Sequence, residues 1–410
     1  MKTNNIHGMK ILQLCNKPPY PASDGGMLAM HRITEGLLQR GHEVKVLAVE
    51  TDKHQAQTDA MGTEYRERTR FESVYVDLSV KPVDAGVALL CGDSYNVKRY
   101  ESRDFERRLT EILDSEEFDI VQMESLFLTP YVPAVRHHSN AKIVLRAHNV
   151  EHLIWRQNAM QERSWSKRWY MKKLALALRM YELEHLNDYD AVACISPIDM
   201  QFFKDNGCRK PMAAIPFSVE VGPQVSRSVS HVDQIYHLAS MDWMPNIDSV
   251  DWLLDKVWPN IAQRTPQARL FLAGRGMPQR LIDRASDQVT IEGEVPDAAL
   301  YATSKQINIV PLRSGSGIRV KILEAMAMGK TVIATTVGAA GIEYADGKNI
   351  IIADTPEQIA LAVEHCLADP AWCYTIGDNA RQLIEQRYTP DVLMQRLETL
   401  YDRICSRTEE

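Results

Sequence analysis

Short apolar runs alternate with segments of helical length from one end of the chain to the other. In the first half, the runs that predict strands are 10–14, 43–49, 120–123, 142–146 and 191–195. In the second half they are 235–239, 269–273, 289–292, 307–311, 331–335 and 349–353. The runs are rich in Val, Ile and Leu and lack strict alternation with polar residues, as in parallel strands that are covered on both faces. Repeated strand–helix–strand units predict a doubly wound α/β fold.

A polar segment, 219–233, interrupts the alternation and has no helical period. We interpret it as a linker between an N-terminal domain, 1–218, and a C-terminal domain, 234–389. Two α/β domains of similar size imply a cleft between them. Ligands of such sheets bind at the carboxyl ends of the strands.

Charge and cysteine usage exclude several classes of protein. The net charge is −7, from 47 basic and 54 acidic residues, which argues against a general nucleic-acid binder. No run of about 18 apolar residues predicts a transmembrane helix. Residues 1–8 lack the apolar core of a secretory signal, so we expect a cytoplasmic protein. The seven cysteines are scattered, with no C-x-x-C pair, which excludes a disulfide framework and a zinc site.

Gly25 and Gly26 follow the first predicted strand and begin a helix. Such a pair lets a phosphate or a sugar approach the unpaired backbone N–H groups at the positive end of the helix dipole. The alternative is a tight turn that requires positive φ. The G-x-G-x-x-G fingerprint of a dinucleotide-binding domain is absent here.

The segment 311–330 carries the clearest chemical signal. A strand ends at Pro311, a Ser/Gly loop follows, and a helix then begins with Arg319 and Lys321 near its start. Cations at a helix N-terminus oppose the dipole unless an anion neutralises them, so the arrangement suits a diphosphate. Glu324 follows on the same helix and could bind a ribose diol. The alternative is a solvated basic helix face.

Residues 316–335, with Leu-Glu-Ala-Met-Ala-Met-Gly-Lys at 323–330, resemble the donor-binding segment of glycosyltransferase family 4. The stretches 237–246, 272–276 and 336–342 agree with it, and 25–26, 145–152 and 194–196 match more loosely. That family has the GT-B fold, in which two Rossmann-like doubly wound domains face each other across a cleft. The resemblance implies that a closing helix, 390–410, returns to the N-terminal domain.

The resemblance also implies transfer of a sugar, with retention, from a nucleoside-diphosphate sugar to a saccharide or lipid-linked acceptor, without a metal or other cofactor. Donor-binding residues would be Gly25, Gly26, Gly274, Ser316, Gly317 and Glu324. Ser316 stands where the family has a second glutamate. Ser240 and Pro245 stand where it has its diphosphate-binding Arg and Lys, so we expect Arg319 and Lys321 to neutralise the diphosphate.

His148 matches a family histidine at the end of a strand in the first domain, near the transferred sugar. Its imidazole would hydrogen-bond a sugar hydroxyl, and the alternative is a structural histidine. The Asp188-Tyr189-Asp190 run has the spacing of a metal-binding D-x-D, but its place before a strand favours a turn.

The segment 155–180 holds seven Arg or Lys residues, one acidic residue and interleaved aromatic residues. This pattern suits an anionic membrane surface, which would make the enzyme a peripheral membrane protein acting in polysaccharide biosynthesis. The alternative is a helix with a solvated basic side. Two other functions stay open at this point: a different GT-B enzyme, such as an epimerase or a phosphorylase, and a non-catalytic partner subunit.

Overall fold

The computed structural model describes residues 8–22, 24–57, 61–222, 226–228, 230–315 and 317–406. The chain divides into two compact units. The first comprises Met1–Pro216 and Leu393–Glu410, and the second comprises Phe217–Val392. The predicted linker is shorter in the structure, because a strand of the second unit already begins at His231. Residues 223–225 and 229 of that linker lie outside the described residues.

The first unit is built on a seven-stranded sheet with strand order β3-β2-β1-β4-β5-β6-β7. Its strands are β1 Lys10–Cys15, β2 Glu43–Glu50, β3 Glu72–Tyr75, β4 Ile120–Met123, β5 Lys142–Ala147, β6 Ala191–Cys194 and β7 Met212–Ala214. Neighbouring strands pair in parallel, and Ile11 of β1 lies opposite Ile120 of β4. The five predicted strands are present, and the edge strands β3 and β7 were missed.

Nine helices of the described chain precede the second unit. They are α1 Gly25–Gln39, α2 Thr63–Thr69, α3 Pro82–Cys91, α4 Tyr95–Lys98, α5 Arg103–Ser115, α6 Val132–His138, α7 Glu151–Gln161, α8 Trp165–Glu184 and α9 Pro197–Asp205. Short 3₁₀ segments lie at Leu126–Tyr131 and His185–Asn187. Where the structure describes the chain, no helix is long and apolar enough to cross a bilayer.

Both faces of the first sheet are covered. Leu12 and Leu14 of β1 pack on one face with Phe105 of α5, while Ile11 and Cys15 pack on the other. The last helix, α17 Pro390–Cys405, joins the second face. Its buried residues are Leu393, Met394, Leu397, Leu400, Tyr401 and Ile404. Two covered faces explain why the strands are apolar throughout.

The second unit contains a six-stranded sheet with strand order β10-β9-β8-β11-β12-β13. Its strands are β8 His231–Leu238, β9 Arg269–Ala273, β10 Val289–Gly293, β11 Lys305–Val310, β12 Thr331–Ala334 and β13 Ile351–Ile352. All of these pairings are parallel. This order is that of a doubly wound nucleotide-binding sheet. The predicted fold class is therefore confirmed for both units.

The helices of the second unit are α10 Met244–Trp252, α11 Trp258–Arg264, α12 Gln279–Ile282, α13 Ala298–Thr303, α14 Val320–Ala327, α15 Pro356–Ala368 and α16 Pro370–Arg387. The sequence predicts one helix over 247–262. In the structure a π-helical turn, Leu253–Val257, lies between α10 and α11. Its Leu253, Leu254 and Val257 are buried in the core, so the wider turn keeps three apolar side chains on the sheet.

Candidate functional site

The strand order of each sheet reverses at one pair of neighbouring strands, β1 with β4 in the first unit and β8 with β11 in the second. Ligands of doubly wound sheets bind at this point, outside the carboxyl ends of the strands. We call the carboxyl ends of β1, β4 and β5 the first edge, and those of β8, β9 and β11 the second edge. The predicted site residues divide between these two edges.

At the second edge, a glycine loop leads from β11 into α14. Gly315 and Gly317 have φ of 114° and 80°, in the left-handed region that favours glycine. A Cβ on Gly315 would lie 2.4 Å from the Trp243 ring and 2.8 Å from Nη2 of Arg319. Position 315 must therefore be glycine for the loop to pass Trp243 and Arg319. Ser316, the residue that replaces a family glutamate, lies outside the described residues.

Arg319 is the N-cap residue of α14 and is buried. Nη1 donates to the carbonyl oxygen of Gly317 at 2.9 Å, and the guanidinium lies over the Trp243 ring, 5.0 Å from its centroid. Burial lowers the pKa of Arg319 to about 10, which leaves the side chain charged at neutral pH. Arg319 is thus a positioned cation rather than part of a solvated helix face.

Lys321, two residues further on, is half-buried. Nζ donates to Oδ1 of Asn246 at 3.4 Å. Burial, reinforced by the charge of Arg319, lowers the pKa of Lys321 to about 7. Among the residues that the structure describes, no carboxylate forms an ion pair with Lys321. A cation held next to another cation without a carboxylate favours an anionic ligand.

Glu324 is exposed and lies one helical turn beyond Lys321 on α14. Residues three apart share a helix face, so both side chains lie on the same side of α14. Burial raises the pKa of Tyr236, which lies next to the second edge, and the negative charge of Glu324 raises it further. The predicted diphosphate-binding and ribose-binding residues therefore share one helix at the second edge.

The loops after β8 and β9 approach each other closely. Gly274 has φ of 154°, and a Cβ there would lie 1.7 Å from the carbonyl oxygen of Ala239. Asp242 accepts a hydrogen bond from Ser240 at 2.9 Å and pairs with Arg275 at 2.8 Å. Gly274 therefore acts by permitting the close approach that holds the two loops in place.

His237 lies on β8 beside this loop and is fully buried. Nδ1 donates to the carbonyl oxygen of Ile309 on β11 at 2.7 Å. This hydrogen bond joins β8 to β11, the pair of strands at which the strand order reverses. Burial, reinforced by the charge of Lys321, lowers the pKa of His237 to about 3, so the ring is neutral. The sequence placed His237 in a family motif without assigning it a role.

At the first edge, His148 follows β5, and its Nε2 lies 3.0 Å from Oε2 of Glu124, which follows β4. Burial lowers the pKa of His148, the hydrogen bond to Glu124 opposes that change, and the charge of Arg146 adds to it. The imidazole is therefore neutral at pH 7. Glu124 was missed in the sequence, although it directly follows the predicted strand 120–123.

Glu151, the first residue of α7, lies close to His148 in sequence. Its backbone N–H donates to Oε1 of Glu182 at 3.0 Å. Burial and the charge of Glu182 raise the pKa of the Glu151 carboxyl to about 8. The Glu151 carboxyl is therefore protonated more readily than that of an ordinary glutamate.

Gly25 and Gly26 occupy the first turn of α1, and neither has positive φ, so the alternative of a left-handed turn is wrong. Asp24 caps the helix by accepting from the backbone N–H of Met27 at 2.9 Å, and it pairs with Lys17 at 2.6 Å. A carboxylate of this chain therefore already lies at the helix start, with a lysine that neutralises it.

Asp188 and Asp190 have structural partners. Oδ2 of Asp190 accepts from the backbone N–H of Ile143 and from Nη1 of Arg136, each at 2.7 Å, while Asp188 pairs with His185 at 2.6 Å. This supports the interpretation of a turn. Within the described ranges, no group of three or more His, Cys, Asp or Glu side chains has the arrangement of a metal site.

Two family models match the chain, one in each unit. The model described as Glycosyltransferase Family 4 matches residues 24–221, and the model described as Glycosyl transferases group 1 matches residues 233–369. With two doubly wound parallel sheets, these matches define a glycosyltransferase of the GT-B type. The chain thus carries a Glycosyltransferase Family 4 domain followed by a Glycosyl transferases group 1 domain, in agreement with the resemblance of its motifs.

Individual relatives are distant. A protein of Klebsiella pneumoniae described as an uncharacterized 44.6 kDa protein in the cps region is 23% identical over 393 residues, which cover 92% of this chain and 96% of the relative. Anabaena Alr3699/HepE in complex with UDP has a TM-score of 0.63 at 16% identity, covering 96% and 99% of the two chains. Sucrose-phosphate synthase from Thermosynechococcus elongatus has a TM-score of 0.67 at 17% identity, covering 97% and 100%. Structural likeness at these identities supports the fold.

Proposed function

We propose that this glycosyltransferase moves a sugar, with retention, from a nucleoside-diphosphate sugar to a lipid-linked saccharide during cell-surface polysaccharide synthesis. The observation that carries the proposal is the cation pair at the start of α14, a buried Arg319 and a half-buried Lys321 that has no carboxylate partner within the described residues. A diphosphate supplies the missing negative charge. The complex of HepE with UDP supports the same ligand class.

The reaction that we propose needs little chemistry from side chains. The bond between the donor sugar's C1 and the β-phosphate oxygen breaks, and its electron pair stays on the departing diphosphate. The acceptor oxygen bonds to C1, and its proton passes to that diphosphate. Arg319 and Lys321 stabilise the charge that develops, the backbone of the glycine loop lies against the phosphates, and His148 hydrogen-bonds a sugar hydroxyl. No metal takes part in this scheme.

Binding of the nucleotide is tested through Glu324. A carboxylate that accepts from a ribose diol makes charge-assisted hydrogen bonds, each contributing roughly 1.5–3 kcal/mol. We expect Glu324→Ala to weaken binding of the preferred nucleoside diphosphate about tenfold or more, measured by calorimetry with UDP, GDP and ADP. Glu357→Ala removes an exposed carboxylate from α15 of the same unit and should leave the affinity unchanged. Equal affinities for wild type and Glu324→Ala would contradict the ribose assignment.

A surface on α8 supports the lipid-linked acceptor. Trp165, Trp169, Leu176 and Met180 are exposed by 82%, 53%, 49% and 60% and follow one face of the helix, while the opposite face is buried. The helix also carries five exposed basic residues, Lys167, Arg168, Lys172, Lys173 and Arg179, of which Lys172, Lys173 and Arg179 lie next to the stripe. An exposed apolar stripe with basic neighbours matches an anionic lipid surface in both polarity and charge. We call these nine residues the α8 surface.

Membrane binding is tested by charge removal on the α8 surface. Each basic residue near an anionic membrane contributes on the order of 1 kcal/mol. Replacing Lys167, Arg168, Lys172 and Lys173 with Gln should therefore lower binding to phosphatidylglycerol vesicles by roughly 100- to 1,000-fold in co-sedimentation.

The control for that experiment replaces Arg280 and Arg284 with Gln. These two residues pair with Asp251 and Asp255 in the second unit, and their loss should not change vesicle binding. Wild-type protein that fails to co-sediment with the vesicles at low salt would refute membrane association.

A further inference from the structure

Glu124 lies between β1 and β5 at the first edge, and its side chain is fully buried. Oε1 accepts from Nε2 of Gln13 at 2.6 Å and from Nε2 of Gln122 at 2.5 Å. Oε2 lies 3.0 Å from Nε2 of His148 and 3.3 Å from Nε of Arg146. Each carboxylate oxygen thus has two partners, and the partners of Oε1 differ from those of Oε2.

The surrounding network makes Oε1 of Glu124 a hydrogen-bond acceptor. The Tyr401 hydroxyl on α17 donates to Oε1 of Gln122, which leaves the amide NH₂ of Gln122 to face Glu124. Gln13 presents its own NH₂, while its oxygen contacts the Thr34 hydroxyl at 2.6 Å. Two amide donors on Oε1 make that oxygen an acceptor, so any proton on Glu124 would have to lie on Oε2.

The surrounding charges indicate that Oε2 is unprotonated as well. Burial alone raises the pKa of Glu124, but the hydrogen bond from His148 and the charge of Arg146 outweigh burial and bring it below its usual value. The charged groups that act on His148 are Glu124, Arg146 and Lys17. An ionised carboxylate accepts hydrogen bonds, so the proton of the neutral imidazole lies on Nε2.

We infer that Glu124 is a positioning residue, which holds His148 with its proton on Nε2 and so makes Nδ1 a hydrogen-bond acceptor for a sugar hydroxyl. The imidazole keeps 14% of its surface exposed, and in the part of the chain that the structure describes no group hydrogen-bonds Nδ1. The sugar ligand rests on the proposed function, whereas the protonation of the ring does not. Glu124 acts through His148 and does not itself contact a substrate.

Replacing Glu124 with glutamine tests this assignment, because it should move the ring proton of His148. In Glu124→Gln the single oxygen must take the place of Oε1, because two amide donors face that position. The new NH₂ group then faces Nε2 of His148 and moves the ring proton to Nδ1. His148 thereby changes from an acceptor to a donor at the atom that faces solvent.

The test is ¹⁵N NMR of the full-length protein labelled at histidine, with His148→Asn to assign the signal. In wild type we expect a protonated Nε2 and an unprotonated Nδ1, and in Glu124→Gln the reverse. In a transfer assay, Glu124→Gln should lower kcat about tenfold or more and change the donor KM by less than about threefold. The wild-type spectrum does not depend on Glu124→Gln, so the inference stays testable if that variant does not fold.

Glu398→Gln is the matched control. Glu398 is also a buried carboxylate, paired with His42 at 3.1 Å and with Arg40 at 2.6 Å in the same unit. It should lower stability without changing the His148 spectrum or kcat. A wild-type His148 protonated on Nδ1 or on both nitrogens, or a Glu124→Gln spectrum like wild type, would overturn the inference. Failure of the proposed function looks different, since transfer is then absent from wild type while its spectrum is as expected.

Discussion

Arg319→Lys should lower turnover about 100-fold or more although it keeps the positive charge. Negative charge grows on the diphosphate as the glycosidic bond breaks, and losing one preorganised donor at such a site costs about 100- to 1,000-fold in kcat. Lysine cannot reproduce the planar, bidentate contact of a guanidinium with phosphate, nor the stacking of Arg319 on Trp243. Lys321→Met should cause a similar loss of turnover. Its effect on donor affinity should be smaller, because the loop amides still bind the diphosphate of the intact donor.

Steady-state kinetics with the preferred nucleotide sugar measures both losses. Arg275→Lys and Arg313→Lys are the matched controls, because these arginines pair with Asp242 at 2.8 Å and with Asp248 at 2.6 Å. They should retain turnover within about twofold. If Arg319→Lys and Lys321→Met also stay within twofold, the diphosphate is neutralised elsewhere, and Arg275 and Arg313 become the candidates.

Lys321 should also make nucleotide binding depend on pH. The pKa of unliganded Lys321 is about 7, and a bound diphosphate favours the protonated form. Above pH 7 binding therefore takes up a proton, and affinity falls as the pH rises from 7 to 9. Calorimetry in buffers of different ionisation enthalpy measures this uptake, which should be absent from Lys321→Met.

Gly274→Ala should destabilise the second unit by about 3 kcal/mol or more, since the new Cβ combines backbone strain with steric overlap. At φ of 154°, that Cβ would lie 1.7 Å from the carbonyl oxygen of Ala239, where β8 and β9 are paired. We expect the thermal transition of the second unit to fall by roughly 10 °C, measured by calorimetry.

Gly347→Ala separates backbone strain from steric overlap. Gly347 also has positive φ, at 69°, but a Cβ there meets no atom within 4 Å. It should cost only about 1–2 kcal/mol, the strain of a left-handed alanine. Equal losses for the two variants would show that the approach of the β8 and β9 loops is not what requires glycine at 274.

The central strands of both sheets could be predicted from the sequence because they are covered on both faces. Apolar runs such as 120–123 and 269–273 coincide with β4 and β9. The edge strands β3 and β7 were missed, because Glu72–Tyr75 is half polar and Met212–Ala214 has only three residues. Some predicted strands have different bounds in the structure, because strand pairing continues beyond the apolar run. β8, for example, already begins at His231.

The candidate site was predictable where its residues are close in sequence. Arg319, Lys321 and Glu324 belong to one helix start, and the dipole argument applies to them directly. Glu124 could not be found in this way, since its contacts lie 111 residues away at Gln13 and 24 residues away at His148. A carboxylate directly after a buried strand was the available signal, and only the strand order brings its partners together.

The most direct measurement is sugar transfer by the full-length protein. Radiolabelled nucleoside-diphosphate sugars are incubated with lipid-linked saccharides, and NMR determines the anomeric configuration of the product. We expect label in the lipid fraction, with the configuration of the donor retained, and none with the double variant Arg319→Lys, Lys321→Met. A protein that binds the nucleoside diphosphate but transfers no sugar from any donor, or that inverts the configuration, would contradict the proposed reaction.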